Sequence, residues 1–333
     1  MCWRGEQAPT GASWPILRRV AAGGFITFIA LLANRTHLPL LFPELAALSY
    51  GVMTNPHGAW ARAPGRLWLT PVLTALAGTI IARYVGFGVV PASLSVLASL
   101  CCLAWLRSPI IPAISAGLLP VVLGVRSYAY PLAVGLALLL LIMASIGLTY
   151  IAPRRGHVRP VPAPAPPKRP RARLVAYLLF IVALAAAASV PGWRLVLCPP
   201  LAVIAFDRMV MGMDHLWRRR LPVLFLISVL NTAAAALLFT IWGDAPLAIG
   251  ASVGIGIMLL GVFKSHVAPV LAIGLLPFIT RQGSAREVIA IAVGMAALSA
   301  VALVMGRIET NRFGLARRAA QSGLAKTSKP ACE

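Results

Sequence analysis

Long apolar runs separated by short basic loops dominate this sequence. The runs Ala129–Ile151 and Leu221–Trp242 contain no charged residue. Each run is long enough for a helix to cross a hydrocarbon core of about 30 Å. The pattern therefore predicts an all-α protein, a polytopic bundle of transmembrane helices.

Each half of the chain divides into six apolar segments. The predicted segments are 20–33, 38–53, 67–86, 89–106, 110–125 and 129–151 in the first half, and 174–190, 194–211, 221–242, 246–263, 267–280 and 285–306 in the second. Several are shorter than the roughly 20 residues that a straight span needs. Short or broken helices are therefore expected, and a re-entrant pair in place of two crossings stays open.

A proline- and arginine-rich stretch, 152–173, separates the two halves. It holds seven prolines and seven basic residues, a composition that favours an extended spacer over a helix. The predicted organisation is an N-terminal segment (1–19), a first membrane repeat (20–151), this linker, a second membrane repeat (174–306) and a basic tail (307–333).

Two of the short segments carry the same helix-breaking motif, S-x-x-x-P-x-x-x-x-G-L-L-P. The first copy runs from Ser108 to Pro120 and the second, 157 residues later, from Ser265 to Pro277. A second match, "FPELAALSYGVM" with "CPPLAVIAFDRM", has a spacing of 156. Two separated matches at nearly one spacing indicate a duplication. An even number of segments per half makes the repeats parallel, an arrangement that transporters use around a central site.

The pattern resembles the HPP family of integral membrane proteins, named for a His-Pro-Pro triplet that leads an Ala-rich helix. Here "IIPAISAGLL" matches from Pro112-Ala113 onwards, with the His-Pro of the triplet replaced by Ile110-Ile111. The resemblance implies a membrane transporter, and nitrite transport is attributed to some members of the family. The six-segment units are also similar to the membrane halves of fusaric-acid-resistance-type exporters.

The charge of the chain agrees with a membrane location. The formal net charge is +22, with 30 Lys and Arg against 8 Asp and Glu, and the basic residues collect between the apolar runs. The positive-inside rule then places the N-terminus, the linker and the C-terminus in the cytoplasm, and we expect the inner membrane of a cell. Nucleic acid is excluded as a partner, because no basic recognition helix is present.

The start of each motif copy is the predicted solute site. A helix that starts at Pro112 inside the membrane presents free N–H groups and the positive end of its dipole to an anion. Ser108, and Ser265 in the second copy, are placed to cap those amides. Packing of short helices is the alternative interpretation. Pro120 and Pro277 are expected to kink or end the segments, and the two copies to face each other across the site. The predicted binding residues are Arg107, Ser108, Pro112, Lys264, Ser265, His266 and Pro269.

Two acidic residues lie in or near apolar segments. A carboxylate inside a membrane is costly and is by default a candidate for proton or ion coupling, which makes Glu44 and Asp207 candidates. Asp207 is followed by Arg208, so an ion pair at a helix end is the favoured alternative there. Glu44 has no such neighbour in the sequence.

The sequence contains no motif of a known catalytic, metal or cofactor site. Cys101 and Cys102 are interpreted as packing residues, Asp214-His215 is too isolated for a metal site, and GASVG (from Gly250) is typical of close helix packing. We therefore expect no enzyme, metal or cofactor. The predicted function is transport of a small anionic solute across the lipid bilayer. A membrane enzyme and a non-catalytic subunit of an export complex, bound to a second copy or to a periplasmic adaptor, are the alternatives.

Overall fold

Helices form nearly all of the structure, a computed structural model that describes residues 13–151, 171–211, 221–265 and 267–327. No strand occurs among these residues. The helices of the first half are α1 Ser13–Thr36, α2 Pro43–Thr54, α3 Pro64–Tyr84, α4 Val89–Trp105, α5 Ala113–Leu123 and α6 Ala129–Ile151. Those described in the second half are α7 Arg171–Ala188, the 3-10 helix Arg194–Leu197, α8 Pro199–Met209, α9 Leu221–Trp242, α10 Pro246–Val262, α11 Pro269–Ile273, α12 Leu276–Thr280 and α13 Ala285–Thr327.

Six of the described helices are long and apolar enough to cross a membrane. They are α1, α3, α6, α7, α9 and the first part of α13, Ala285–Met305. Their outward faces carry large apolar side chains such as Leu132, Leu139 and Leu237. A helix that is apolar on its outer face as well as its inner one is suited to lipid. The protein is therefore a multi-pass helical membrane protein.

The short helices form the interior of the bundle. Every residue of α5 from Ala113 to Val122 is buried, as are most residues of α2 and α8. Helices α2 and α11 pack together, and so do α5 and α8, so the short helices of one half contact those of the other. The long helices surround this core, which joins the two halves.

Small residues bring the helices of the core close together. A Cβ added at Gly78 on α3 would overlap the backbone carbonyl of Gly117 on α5. The same holds for Gly250 on α10, where a Cβ would overlap the hydroxyl of Thr27 on α1. This tight contact agrees with the packing interpretation of the GASVG segment, since small residues let membrane helices approach each other.

The short helices begin later than the apolar pattern predicted. Helix α2 starts at Pro43 and not at residue 38, because Phe42 is extended and Pro43 occupies the first turn. Proline is favoured there, where its missing N–H is not needed. Helix α5 starts at Ala113 and not at 110, and the segment 267–280 is two helices, α11 and α12, separated by Gly274 and Leu275. The predicted segments started too early because the residues ahead of each proline are also apolar.

Several structural features recur at positions 157 residues apart in the two halves. The hydroxyl of Ser95 donates to the carbonyl of Gly117 at 2.7 Å, and that of Ser252 donates to the carbonyl of Gly274 at 3.0 Å. Both residues of the second bond lie 157 positions after those of the first. Positive φ angles recur at the same spacing at three pairs of positions: Gly86 and Gly243, Arg107 and Lys264, and Gly124 and Arg281.

Candidate functional site

The backbone amides at the start of both motif copies already have partners. The amides of Ala113 and Ile114 donate to the carbonyls of Ile110 and Ile111 at 3.1 and 3.0 Å. The next two amides of α5 both donate to the carbonyl of Pro112. In the second copy, the amides of Val270 and Leu271 donate to Val267 and Ala268 at 3.1 and 2.9 Å. The prediction of free N–H groups at these helix starts is therefore wrong.

Ser108 does not cap helix α5. Its hydroxyl accepts a hydrogen bond from the amide of Ile110 at 3.3 Å and another from the hydroxyl of Thr70 at 2.8 Å, which ties the turn to α3. No side chain caps the start of α11 either, so the expected cap by Ser265 is also wrong. His266 lies outside the described residues. Pro112 and Pro269 stand where predicted, immediately before and at the first residue of their helices.

Arg107 and Lys264 occupy equivalent tight turns. Each lies two residues after the end of its helix, α4 or α10, with φ of 46° and 48°. The side chain of Arg66 donates to the carbonyl of Arg107 at 3.2 Å. These turns stand at the start of the motif, whereas the main cavity of the described structure is lined by the other end of α5 and by α12.

That cavity has a volume of about 760 Å³ and takes residues from both halves. Leu119 and Val122 near the end of α5, and Phe278 and Ile279 on α12, form apolar parts of its wall. Of the binding residues predicted from the motif, none of those that the structure describes lines it. Its charged and histidine side chains are His37, Arg194, Asp244, Arg281, Arg286 and Glu287.

Arginines predominate at the mouth of the cavity. Arg194, Arg281 and Arg286 are all exposed there, and Arg281 forms an ion pair of 3.6 Å with Asp244. Three arginines against two acidic residues favour an anion in a partly enclosed space. No family model, curated protein or solved structure matches the chain. The arrangement of these side chains is thus what bears on function.

Neither motif copy has its helix end at the last proline of the motif. Pro120 lies inside α5, which continues to Leu123, and Pro277 is near the start of α12. The helices end instead at Gly124 and Arg281, both in the left-handed region with φ of 71° and 53°. An αL residue is a common helix terminator, and glycine adopts it without a Cβ clash. Arginine at 281 adopts the same conformation without that freedom.

Glu287 is the buried acidic residue of the cavity, and it was not among the residues predicted from the sequence. It lies in the first turn of α13 with 3% of its surface exposed. The hydroxyl of Thr280 is 2.9 Å from its Oε1, whereas Oε2 is buried and has no hydrogen-bond partner among the described residues. The signal that could have found it is an acid three residues into an apolar segment, the same signal that singled out Glu44.

Glu44 lies deeper, among the short helices, with 2% of its surface exposed. The hydroxyl of Ser115 on α5 donates to its Oε1, and its Oε2 has no partner within the described ranges. Of the two buried carboxylates, only Glu287 lines the cavity.

Asp207 forms the ion pair expected from its neighbour. Its Oδ2 is 3.1 Å from a guanidinium nitrogen of Arg208, and 39% of its side chain is exposed. Because the charge of Asp207 is paired and partly solvated, its position in an apolar segment does not require a coupling role. In the part of the chain that the structure describes, no three His, Cys, Asp or Glu side chains are grouped to hold a metal ion. Asp214-His215 lies outside that part.

Proposed function

We propose that this protein transports a small anionic solute, such as nitrite or an organic acid, across a membrane as a permease or exporter. The observation that carries the proposal is the cavity of about 760 Å³ with Arg194, Arg281 and Arg286 at its mouth. A cavity of this size accommodates small molecules. Arginine is suited to binding carboxylates and other oxyanions, because its planar guanidinium donates two parallel hydrogen bonds.

The matched geometry of the two halves supports a duplicated, parallel repeat. Equivalent hydrogen bonds from Ser95 and Ser252, and equivalent positive φ angles, recur at the spacing of the sequence motif. Transporters built from repeats bind solute where the repeats meet, and this cavity takes residues from both. The resemblance to the HPP family stays part of the proposal on the same grounds.

The motif contributes to this site through its end and not through its beginning. Leu119 of the first copy lines the cavity, and Phe278 follows the last proline of the second copy. A solute-binding role for Arg107, Ser108 and Lys264 stays a prediction without support from the cavity. Glu44 stays a candidate for ion coupling because it is buried with one unpartnered oxygen, and the ion pair of Asp207 accounts for that residue.

The orientation in the membrane is proposed from charge. The N-terminus, the 152–173 linker and the C-terminus are cytoplasmic under the positive-inside rule. Tyr130, at the start of α6, lines the cavity, and α6 then runs to Ile151, where the linker follows. The cavity therefore opens on the face opposite the linker, which in a bacterial inner membrane is the periplasmic face.

Flux in proteoliposomes tests the proposal. Purified protein would be reconstituted and its uptake of nitrite, nitrate and an aromatic carboxylate measured against empty vesicles. We expect flux with at least one of these anions. Replacement Arg286→Gln should raise the half-saturating concentration at least about tenfold, because hydrogen bonds to charged groups contribute about 1.5–3 kcal/mol.

Arg35→Gln is the matched control for that variant. Arg35 is exposed near the end of α1 but does not line the cavity, so its replacement should leave the flux unchanged. Equal effects of both replacements would contradict a role for the cavity arginines. Absence of flux with every anion would overturn the transporter and favour the alternative, a non-catalytic subunit of an export complex.

A further inference from the structure

The environment of Glu287 can accommodate its carboxyl group with and without a proton. The hydroxyl of Thr280 lies 2.9 Å from Glu287 Oε1 and 2.9 Å from the backbone carbonyl of Leu276. A threonine hydroxyl has one proton to donate and can also accept. With Glu287 ionised, Thr280 donates to the carboxylate. With Glu287 protonated, the carboxylic acid donates to Thr280, which donates in turn to Leu276.

Glu287 is also poorly compensated when it is ionised. Its Oε2 is buried without a hydrogen-bond partner, and no basic side chain of the described residues lies within 4.0 Å of the carboxylate. A buried carboxylate that accepts a hydrogen bond from only one donor has a high free energy. Protonation or a change in its surroundings lowers that free energy. The other cavity acid, Asp244, is half-exposed and paired with Arg281. Glu287 is thus the acid whose proton most changes the charge inside the cavity.

Several charged or titratable groups face Glu287 from the elements around it. Three arginines line the same cavity as Glu287. The groups that line the cavity with Glu287 are Arg194 on the 3-10 helix, Asp244 after α9, Arg281 before α13, Arg286 on α13 itself, His37 and Tyr130. Cys198, immediately before α8, is a further titratable group, since α8 packs against α13.

We propose that Glu287 is a proton-binding site that links anion binding in the cavity to pH. A proton on Glu287 removes its negative charge from the cavity, so the arginines bind a small monovalent anion more tightly. By linkage, the bound anion promotes protonation of Glu287 to the same extent. The solute class is then a small monoanion that occupies the cavity together with one proton taken from solvent. This inference rests on the proposed function.

Nitrate binding to the full-length protein in detergent tests the link. Nitrate stays ionised from mildly acidic to mildly alkaline pH, so any pH dependence of its affinity comes from the protein. We expect the wild type to bind nitrate about tenfold or more tightly at the acidic end, the size of effect that one nearby charge produces. Glu287→Gln, an uncharged mimic of the protonated acid, should bind tightly at both ends. Asp207→Asn should keep the wild-type pH dependence, because Asp207 does not line the cavity and is paired with Arg208.

A second measurement needs no variant. Calorimetry of nitrate binding in two buffers with different ionisation enthalpies should show proton uptake by the wild type as the anion binds. An unchanged pH dependence in Glu287→Gln, or anion binding without proton uptake, overturns the inference. Anion flux that is independent of pH would overturn it while leaving the transporter intact. Absence of binding and flux with nitrite, nitrate and an aromatic carboxylate would overturn both.

Discussion

The hydroxyl of Ser115 donates a hydrogen bond to the carboxylate of Glu44, joining two short helices at the centre of the bundle. Both residues are in the first turn of their helices, α5 and α2. The bond connects the helix of the repeated motif to the helix that carries the earlier match between the halves. A buried carboxylate tied to one hydroxyl makes this junction sensitive to small changes.

Removal of that hydroxyl should destabilise the protein. In Ser115→Ala, Glu44 loses its side-chain donor in the core, and leaving a buried acceptor unsatisfied costs about 1–3 kcal/mol. Unfolding in mixed micelles would measure the loss. In a Glu44→Gln background the same replacement should have a smaller effect, because the charge is absent. Equal effects in both backgrounds would contradict the pairing.

A methyl group at the α3–α5 crossing should be poorly tolerated. Alanine normally stabilises a helix by up to about 1 kcal/mol relative to glycine. In Gly78→Ala the new Cβ overlaps the carbonyl of Gly117, so we expect destabilisation of about 1–3 kcal/mol from overpacking. Gly147→Ala on α6 is the control, since no atom lies within 4 Å of its added Cβ. Thermal unfolding in detergent should give opposite signs for the two variants.

Equivalent serines of the two halves should contribute similarly to stability. Ser95→Ala and Ser252→Ala each remove a buried hydrogen bond to a glycine carbonyl. Each should cost about 0.5–1.5 kcal/mol, and the double variant should show the sum of the two losses. Denaturant titration would compare them. A large effect at one position and none at the other would argue against equivalent roles.

Neutralisation of Asp207 should leave transport intact. It pairs with Arg208 and does not line the cavity, so its replacement acts on this ion pair and not on the proposed anion site. Anion flux through Asp207→Asn in proteoliposomes is therefore expected to match the wild type. A flux that loses its dependence on a proton gradient in this variant would instead identify Asp207 as a coupling residue.

Single-cysteine labelling should place the cavity and the linker on opposite faces. In a background without the native cysteines, a membrane-impermeant maleimide added from the periplasmic side should label Gln282→Cys, which lines the cavity. It should label Ala163→Cys only after lysis. Labelling of Ala163→Cys in intact spheroplasts would reverse the proposed orientation.

The long helices could be predicted because their apolar runs are continuous. The predicted bounds of α6 and α9 match the structure to the residue, since uncharged residues fill both helices and charged or turn residues flank them. The predicted starts of the short helices were less accurate. Pro43 and Pro112 determine where these helices start, and the apolar residues before them do not. Backbone conformation at a proline decides the boundary there, and hydrophobicity does not register it.

The cavity lies at the end of the motif and not at its start, where the sequence predicted solute binding. The expected anion site depended on free amides after Pro112, but the turn 110–112 supplies carbonyls that accept them. Glu287 was missed because Ser284-x-x-Glu287 has the form of an ordinary helix start. Its burial depends on the 3-10 helix and α8, which pack against α13 from elsewhere in the chain. No local pattern reports such a contact.

Arg281 lowers the stability of the fold while it adds positive charge to the cavity. It adopts the left-handed conformation that Gly124 adopts at the equivalent position, and a side chain there costs about 1–2 kcal/mol. Arg281→Gly should therefore yield a more stable protein with a weaker attraction for anions. A search for thermostable variants would favour this replacement and, in doing so, select against transport.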